Sequence, residues 1–304
     1  MFKTNTGIKK TLNFLLISGL FLTSCGLIKQ LKKDNVRFDG DQAYQDVIYQ
    51  QSLGPRIPGS TGHEMIQSWI KEELILNDWE VEEQIVVVNG NEIKNLIGKR
   101  GGETDYLLIG AHYDTRIYAD HDPDPDLQRS PVPGANDGAS GVAVLMELAR
   151  ILPLDMNIPI HLVFFDAEDS GGIGDWDWIQ GSRAYVENMK DLPFSVIIVD
   201  MIGDKDLQIY KEYNSNEILI EQIWEKASRL GYGDIFLDEY KHSILDDHTP
   251  FVEAGIPAVD IIDFDYPHWH TTSDTIDKVS SESLNAVGDT LLAWLLTIEN
   301  EVAQ

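Results

Sequence analysis

The chain has 304 residues, of which 43% are hydrophobic and 24% charged, and its formal net charge is -28. This composition is typical of a folded globular protein and excludes a wholly disordered chain. The excess of 51 acidic over 23 basic side chains argues against a nucleic-acid-binding protein, because phosphate contacts require lysine and arginine.

The start of the chain predicts an export signal. Lysines precede an apolar run, Leu12 to Leu22, that is too short to be a good membrane span. The next residues, Leu22-Thr23-Ser24-Cys25-Gly26, resemble a bacterial lipobox, in which Cys25 is lipidated and begins the mature chain. We therefore expect a signal peptide over 1–24, a tether over 25–38 and a single folded domain over 39–304, lipid-anchored to a bacterial membrane on its periplasmic or outer side. The alternative is an ordinary signal peptide with an incidental cysteine.

Beyond the tether, the apolar residues alternate between helical and strand periods. The predicted helices are Asp41–Ser52, Gly62–Asn77, Gly138–Leu152, Ser182–Met189, Glu217–Leu230 and Ser281–Glu301. The predicted strands are Trp79–Val88, Glu92–Lys99, Tyr106–His112, Pro159–Phe165, Ser195–Met201 and Ala258–Ile262. The first two strands are joined by Asn89-Gly90, a strong hairpin signal, and Ala119–Pro133, rich in Asp and Pro, predicts a loop.

This alternation predicts an α/β fold, a three-layer α/β/α sandwich with a central mixed, mostly parallel twisted sheet. The early hairpin predicts antiparallel strands at one edge of that sheet. In open α/β sheets, binding sites form beyond the carboxyl ends of the strands.

Polar side chains follow the carboxyl ends of the predicted strands. Taken singly, each has an ordinary structural explanation, such as a helix cap at Asp137 or a solvated turn at Glu168. Together they place several carboxylates and histidines at one end of the sheet, namely His112, Asp114, Asp137, Glu168, Asp169, Asp200 and His270. Crowded carboxylates repel one another unless a cation compensates them, and imidazole with carboxylate oxygen suits zinc. The sequence therefore predicts a zinc site there. The Asp120–Asp126 segment lacks the pattern of a calcium loop and predicts only a solvated loop.

From about Asp41 to Glu299 the chain resembles the zinc aminopeptidase superfamily, which includes the glutaminyl-peptide cyclotransferases. The resemblance lies in the order of its motifs, His112-x-Asp114, Asn136-Asp137-Gly138, Glu168-Asp169, Asp200 and His270-Thr271. Three further features resemble the cyclotransferase branch, namely Pro55–Ser60, Asp246–Phe251 and Trp269 directly before His270. No single motif is specific, but the combination is.

The resemblance implies a role for each matched residue. Asp137, Asp169 and His270 would ligate one zinc ion per chain, and Glu168 would be the general acid and base. Asp200 and Asp246 would form a carboxylate network beside Glu168. Trp269, together with Trp176 or Trp178, would bind the substrate, and His248 would support this substrate-binding pocket from behind. His112 is a possible ligand of a second metal ion or a supporting residue.

The chemistry that the resemblance implies is the cyclisation of amino-terminal glutamine in peptides or proteins to pyroglutamate, with release of ammonia. The α-amine attacks the γ-amide carbonyl of its own residue, so the enzyme must fold the substrate, polarise the carbonyl with zinc, and move a proton through Glu168. We expect a monomeric catalytic domain with no nucleic-acid partner.

Two alternatives remain open at this stage. A zinc aminopeptidase would use Glu168 to activate water, with one or two metal ions; with two, Asp137 would bridge and His112 and Asp200 would hold the second. All of those ligands are present, so the ligand set does not separate the two enzymes. The other alternative is an inactive surface lipoprotein that only binds peptides, which the intact Glu168 disfavours.

Overall fold

The structure is a computed structural model that describes residues 36–302. The predicted signal peptide and the lipobox cysteine, Cys25, lie outside the described residues. A compact unit begins at Phe38, close to the predicted end of the tether. Within the described part of the chain, no helix is both long enough and apolar enough to cross a membrane.

Helices and strands alternate along the described chain. The helices are α1 (Gly40–Ser52), α2 (Thr61–Leu76), α3 (Ala139–Ile151), α4 (Gln180–Asn188), α5 (Glu217–Leu230), α6 (Thr249–Glu253) and α7 (Ser281–Val302). The strands are β1 (Glu80–Val88), β2 (Asn91–Arg100), β3 (Leu107–His112), β4 (Ile160–Phe165), β5 (Ser195–Asp200), β6 (Ile209–Lys211), β7 (Phe236–Tyr240) and β8 (Ala258–Ile262).

The central sheet has six strands in the order β1-β2-β4-β3-β5-β8, and β6 and β7 form a separate two-stranded sheet. Strands β4, β3, β5 and β8 are mutually parallel, and β2 pairs antiparallel with both β1 and β4. The hairpin of β1 and β2 lies at one edge of the sheet, as predicted. In its turn, Asn89 and Gly90 both adopt positive φ, as a tight two-residue turn requires.

Helices cover both faces of the sheet. On one face, α1, α2, α3 and α7 pack against one another, with α3 on β3 and α2 on β1 and β2. On the other face, α4 contacts β1 and β2, while α6 contacts α4 and β8. The inner strands β3, β4 and β5 are buried along their whole length, which explains their continuous apolar sequence.

The predicted fold class is therefore confirmed: a three-layer α/β/α sandwich around a mixed, mostly parallel sheet. The sequence prediction omitted three short elements, β6, β7 and α6, which are 3, 5 and 5 residues long and carry too few residues to show a period. The 119–133 segment contains no helix or strand, as predicted.

Candidate active site

The candidate site lies beyond the carboxyl ends of the four parallel strands. Sharp backbone turns place its polar side chains there: Ala167, Met201 and His270 adopt positive φ values of 52°, 48° and 55°. Residues other than glycine rarely adopt this conformation, and it is concentrated at functional sites. The turns at Ala167 and Met201 flank Glu168 and Asp200 directly.

Three buried side chains form the first group of potential metal ligands. Asp137, Asp169 and His270 present ligand atoms that all lie within 4.8 Å of one another. Nε2 of His270 lies 2.8 Å from Oδ1 of Asp169 and 3.8 Å from Oδ2 of Asp137. Asp137 comes from the turn before α3, Asp169 from the turn after β4, and His270 from the loop after β8.

A second group of potential ligands shares Asp137 with the first. Nε2 of His112 lies 3.2 Å from Oδ1 of Asp137 and 3.1 Å from Oδ1 of Asp200. All three residues are buried. Asp137 therefore lies between the two groups, with one oxygen toward each histidine.

The unpaired polar atoms of the first group fit a bound cation. Among the described residues, Oδ2 of Asp137 and Oδ2 of Asp169 have no hydrogen-bond partner although they are buried, and Oδ1 of Asp169 faces Nε2 of His270 at 2.8 Å. Buried polar atoms are almost always paired, so a set of unpaired carboxylate oxygens facing an imidazole nitrogen needs a positive charge between them. Two carboxylates and one imidazole are a donor set typical of zinc.

Two further aspartates hold these ligands in place. Asp274 accepts hydrogen bonds from the backbone N–H groups of Asn136 and Asp137, at 2.9 and 3.1 Å. Asp114 accepts those of Glu168 and Asp169, at 3.0 and 3.3 Å. These contacts fix the two turns that carry the potential metal ligands.

Glu168 is buried next to the first group, with 8% of its surface exposed. Burial raises the pKa of its carboxyl group well above the ordinary value, and the charge of Asp169 adds to the effect. The neighbouring Asp200 also has a raised pKa, about 7, chiefly because of its burial. Carboxyl groups that hold protons near neutral pH can act as general bases and acids.

These groups form the floor of a cavity with an aromatic wall. The cavity has a volume of about 210 Å³. Its polar residues are Asp137, Glu168, Asp169, Asp200, Ser243, Asp246 and His270, and its apolar wall includes Met201, Ile244, Leu245, Ile262, Phe264, Trp178 and Trp269. The ring of Trp269 lies 3.8 Å from that of His270, and the ring of Trp178 stacks parallel to His270 at 5.9 Å.

Two residues predicted for substrate binding do not line this cavity. Of the two alternatives that the sequence left open, Trp178 lines the cavity and Trp176, two positions earlier on the same loop, does not. His248 is fully buried, and its ring nitrogens face Glu212 at 3.4 Å and Asp260 at 3.6 Å instead of the cavity. His112 also lies behind the cavity wall, next to Asp137 and Asp200.

The sequence analysis left several supporting residues without a role. Arg116 is buried beside Asp169 and Trp178, and Asp274 supports the turn that carries Asp137. Arg56, inside the Pro55–Ser60 segment, is fully buried and donates to the backbone carbonyls of Tyr113, Pro133 and Gly134. Its segment therefore holds the loops that lead to the potential metal ligands.

The sequence of residues 95–295 matches the Peptidase family M28. Aminopeptidase YwaD of Bacillus subtilis is 28% identical over 278 residues, which cover 81% of this chain and 55% of that protein. The chain thus spans about half the length of this relative.

Two solved structures resemble the protein along nearly their whole length. Porphyromonas gingivalis glutaminyl cyclase superposes with a TM-score of 0.82 and 34% identity, covering 86% of this chain and 99% of that one. A Zn-dependent exopeptidase from Parabacteroides distasonis superposes with a TM-score of 0.80 and 33% identity, covering 85% and 98%.

Proposed function

The chain belongs to peptidase family M28, and we propose that it is a zinc-dependent glutaminyl-peptide cyclotransferase, an acyltransferase that converts amino-terminal glutamine of peptides or proteins to pyroglutamate. The similarity to a glutaminyl cyclase over 99% of that chain supports this proposal. So do the branch motifs in the sequence, the Pro55–Ser60 and Asp246–Phe251 segments and Trp269.

One observation carries the proposal: Glu168, buried and with a raised pKa, lines the same aromatic-walled cavity as the three potential metal ligands and a second carboxyl group, Asp246. Cyclisation needs such a base, because one group must take a proton from the attacking amine and give one to the leaving ammonia. It also needs an enclosed apolar wall, because water competes with the amine for the same carbonyl.

The residues of the chain perform the reaction as follows. Trp178, Trp269 and Phe264 hold the glutamine side chain folded, so that its α-amine lies against its γ-carbonyl carbon. Glu168 accepts a proton from the amine as the C–N bond forms, and it returns the proton to the γ-nitrogen, which leaves as ammonia. Burial, together with the charges of Asp169 and Asp246, keeps the proton affinity of Glu168 high enough for this double role, and Asp200 lines the same cavity.

Asp137, Asp169 and His270 would hold one zinc ion per chain. When bound, zinc supplies positive charge beside the substrate carbonyl and makes its carbon more electrophilic. The donor set supports this choice, and a Zn-dependent exopeptidase of the same fold adds to it.

A zinc aminopeptidase is the second candidate, and the group of His112, Asp137 and Asp200 favours it. In that enzyme the three residues would hold a second metal ion, and Glu168 would remove a proton from water. The same contacts fit a one-metal enzyme, because a protonated His112 between the two carboxylates supplies the compensating charge. Burial alone would lower the pKa of His112. The neighbouring carboxylates together outweigh the effect of burial and raise the pKa of His112 well above its ordinary value.

Product analysis separates the two candidates. The domain beginning after Cys25 is incubated with zinc and a peptide that starts with glutamine, and the products are analysed by mass spectrometry. A loss of about 17 mass units, the mass of ammonia, with every peptide bond intact supports cyclisation. Release of free amino-terminal residues would contradict it and support the aminopeptidase.

We also propose that the protein is exported and held at a bacterial membrane through a lipid on Cys25, and that the catalytic domain acts as a monomer. The lipobox supports the anchor, and the cavity supports the monomer because residues of one chain complete it. Replacing Cys25 with serine should release the protein from the membrane fraction. Gel filtration of the soluble domain tests its size.

A further inference from the structure

Asp120 lies beside His270, on the side of the ring opposite the other potential ligands. Nε2 of His270 faces Asp169 and Asp137, whereas Nδ1 is 3.7 Å from Oδ1 of Asp120. Among the described residues, Nδ1 has no hydrogen-bond partner, although the ring is buried. The sequence analysis assigned Asp120 to a solvated loop. Instead, the carboxylate faces the imidazole of a proposed zinc ligand.

Arg116 fixes the orientation of the Asp120 carboxylate. Its Nε and Nη2 donate to the two oxygens of Asp120, at 2.8 and 2.5 Å. Arg116 is only 4% exposed, whereas Asp120 is exposed at the protein surface. A two-pronged pairing of this kind restricts the carboxylate more than a single hydrogen bond does.

The same arginine also contacts the other side of the metal-binding group. Nη1 of Arg116 donates to the backbone carbonyls of Asp169 and Gly171, at 3.0 and 3.2 Å. Its guanidinium lies 4.6 Å from the ring centroid of Trp178, which in turn stacks on His270. Arg116 therefore connects Asp169 directly, and His270 through Asp120, with Trp178 on the wall of the cavity.

We infer that Asp120 and Arg116 are positioning residues for the metal site. A neutral imidazole that ligates through Nε2 carries its proton on Nδ1, and a carboxylate that accepts this proton fixes the ring and raises its basicity. Asp120 is the acceptor for His270, and Arg116 holds Asp120 in place. The 3.7 Å separation between Nδ1 and Oδ1 exceeds a hydrogen bond, so the contact forms only when the His270 ring shifts toward the carboxylate that Arg116 holds. The inference rests on the zinc site proposed above, but it holds for either reaction.

Zinc affinity tests the inference without reference to activity. The dissociation constant is measured on purified apo-protein by competition with a chromogenic chelator, for the wild type, Asp120→Ala, Asp120→Asn and Arg116→Lys. We expect affinity to fall about tenfold for Asp120→Asn, which retains a neutral acceptor, and toward a hundredfold for Asp120→Ala. Arg116→Lys should weaken binding by about tenfold, because an ammonium cannot make the two-pronged contact.

Asp126→Asn is the matched control. It removes one negative charge from the same loop, but Asp126 is exposed and does not line the cavity. Its zinc affinity should stay within about twofold of the wild type, since screened surface charge contributes little. Visible absorption of the Co²⁺-substituted proteins should change in the Asp120 variants and remain unchanged in the control.

The melting temperature of each apo-protein separates positioning from folding. Asp120→Asn should melt within a few degrees of the wild type, because its partner Arg116 keeps a neutral acceptor and its backbone-carbonyl contacts. An unchanged zinc affinity in both Asp120 variants would overturn the inference, as would a wild type that binds no zinc. A wild type that binds zinc but forms no pyroglutamate would contradict the proposed reaction and leave this inference standing.

Discussion

Replacing Glu168 with glutamine should slow turnover by orders of magnitude and, at the same time, stabilise the metal-free protein. The side chain keeps its shape, and the contacts that place it are made by the backbone: Asp114 accepts the N–H of residue 168 at 3.0 Å, and Ile179 donates to its carbonyl at 2.9 Å. Neither contact depends on the side chain. The substitution therefore removes only the basic oxygen and the negative charge.

The expected loss of activity follows from the proposed proton transfers. General acid–base catalysis contributes about 10²–10⁴ in rate, which corresponds to about 3–5 kcal/mol of activation free energy. We expect kcat to fall by this factor, while zinc affinity remains close to that of the wild type because Asp137, Asp169 and His270 are unchanged.

The expected gain in stability depends on pH. Burial raises the pKa of Glu168 in the folded protein well above its ordinary value of 4.5. The contribution of Glu168 to stability is therefore complete below pH 4.5, and it is lost as the pH rises through the pKa of the folded state. The loss amounts to about 1.4 kcal/mol for each pH unit within that window. Glutamine has no such loss, so the stability advantage of the variant should be absent at pH 4 and should grow toward pH 8.

Two assays test this prediction. Ammonia release from a glutamine peptide measures kcat, and thermal or urea unfolding of chelator-treated protein between pH 4 and 8 measures stability. A variant that keeps kcat within tenfold of the wild type would refute the assignment of the base. A stability difference that does not change with pH would refute the raised pKa of Glu168.

Three further predictions follow from the site. His270→Ala should lose bound zinc, measured by elemental mass spectrometry of the dialysed protein; a variant that still holds one equivalent would contradict the ligand assignment. Trp178→Ala should raise KM by about tenfold through loss of stacking area, whereas Trp176→Ala should leave it unchanged; equal effects would contradict the described cavity wall. Arg56→Met should lower the free energy of unfolding by about 3 kcal/mol in urea titrations, because it leaves buried backbone carbonyls without their donor, and an unchanged midpoint would argue against that role.

Much of the fold could be predicted from local patterns. The apolar periods of the main helices and strands are long enough to specify element type, and the observed bounds differ from the predicted ones by at most two residues. The turn at Asn89-Gly90 was also predictable, since few residue pairs adopt two successive positive φ values. By contrast, β6 and α6 have 3 and 5 residues and form because of their tertiary contacts rather than their own periodicity.

The sequence alone determined which residue types stand at the ends of which strands, and hence that carboxylates and histidines would meet at one end of the sheet. This followed because strand ends are local features and parallel strands share one carboxyl edge. Only the tertiary structure decided how those side chains pair. It placed Trp178 rather than Trp176 on the cavity wall, turned His248 toward Glu212, and brought Asp120 against His270, 150 positions later in the chain. These contacts depend on the conformation of long loops, which no repeating pattern encodes.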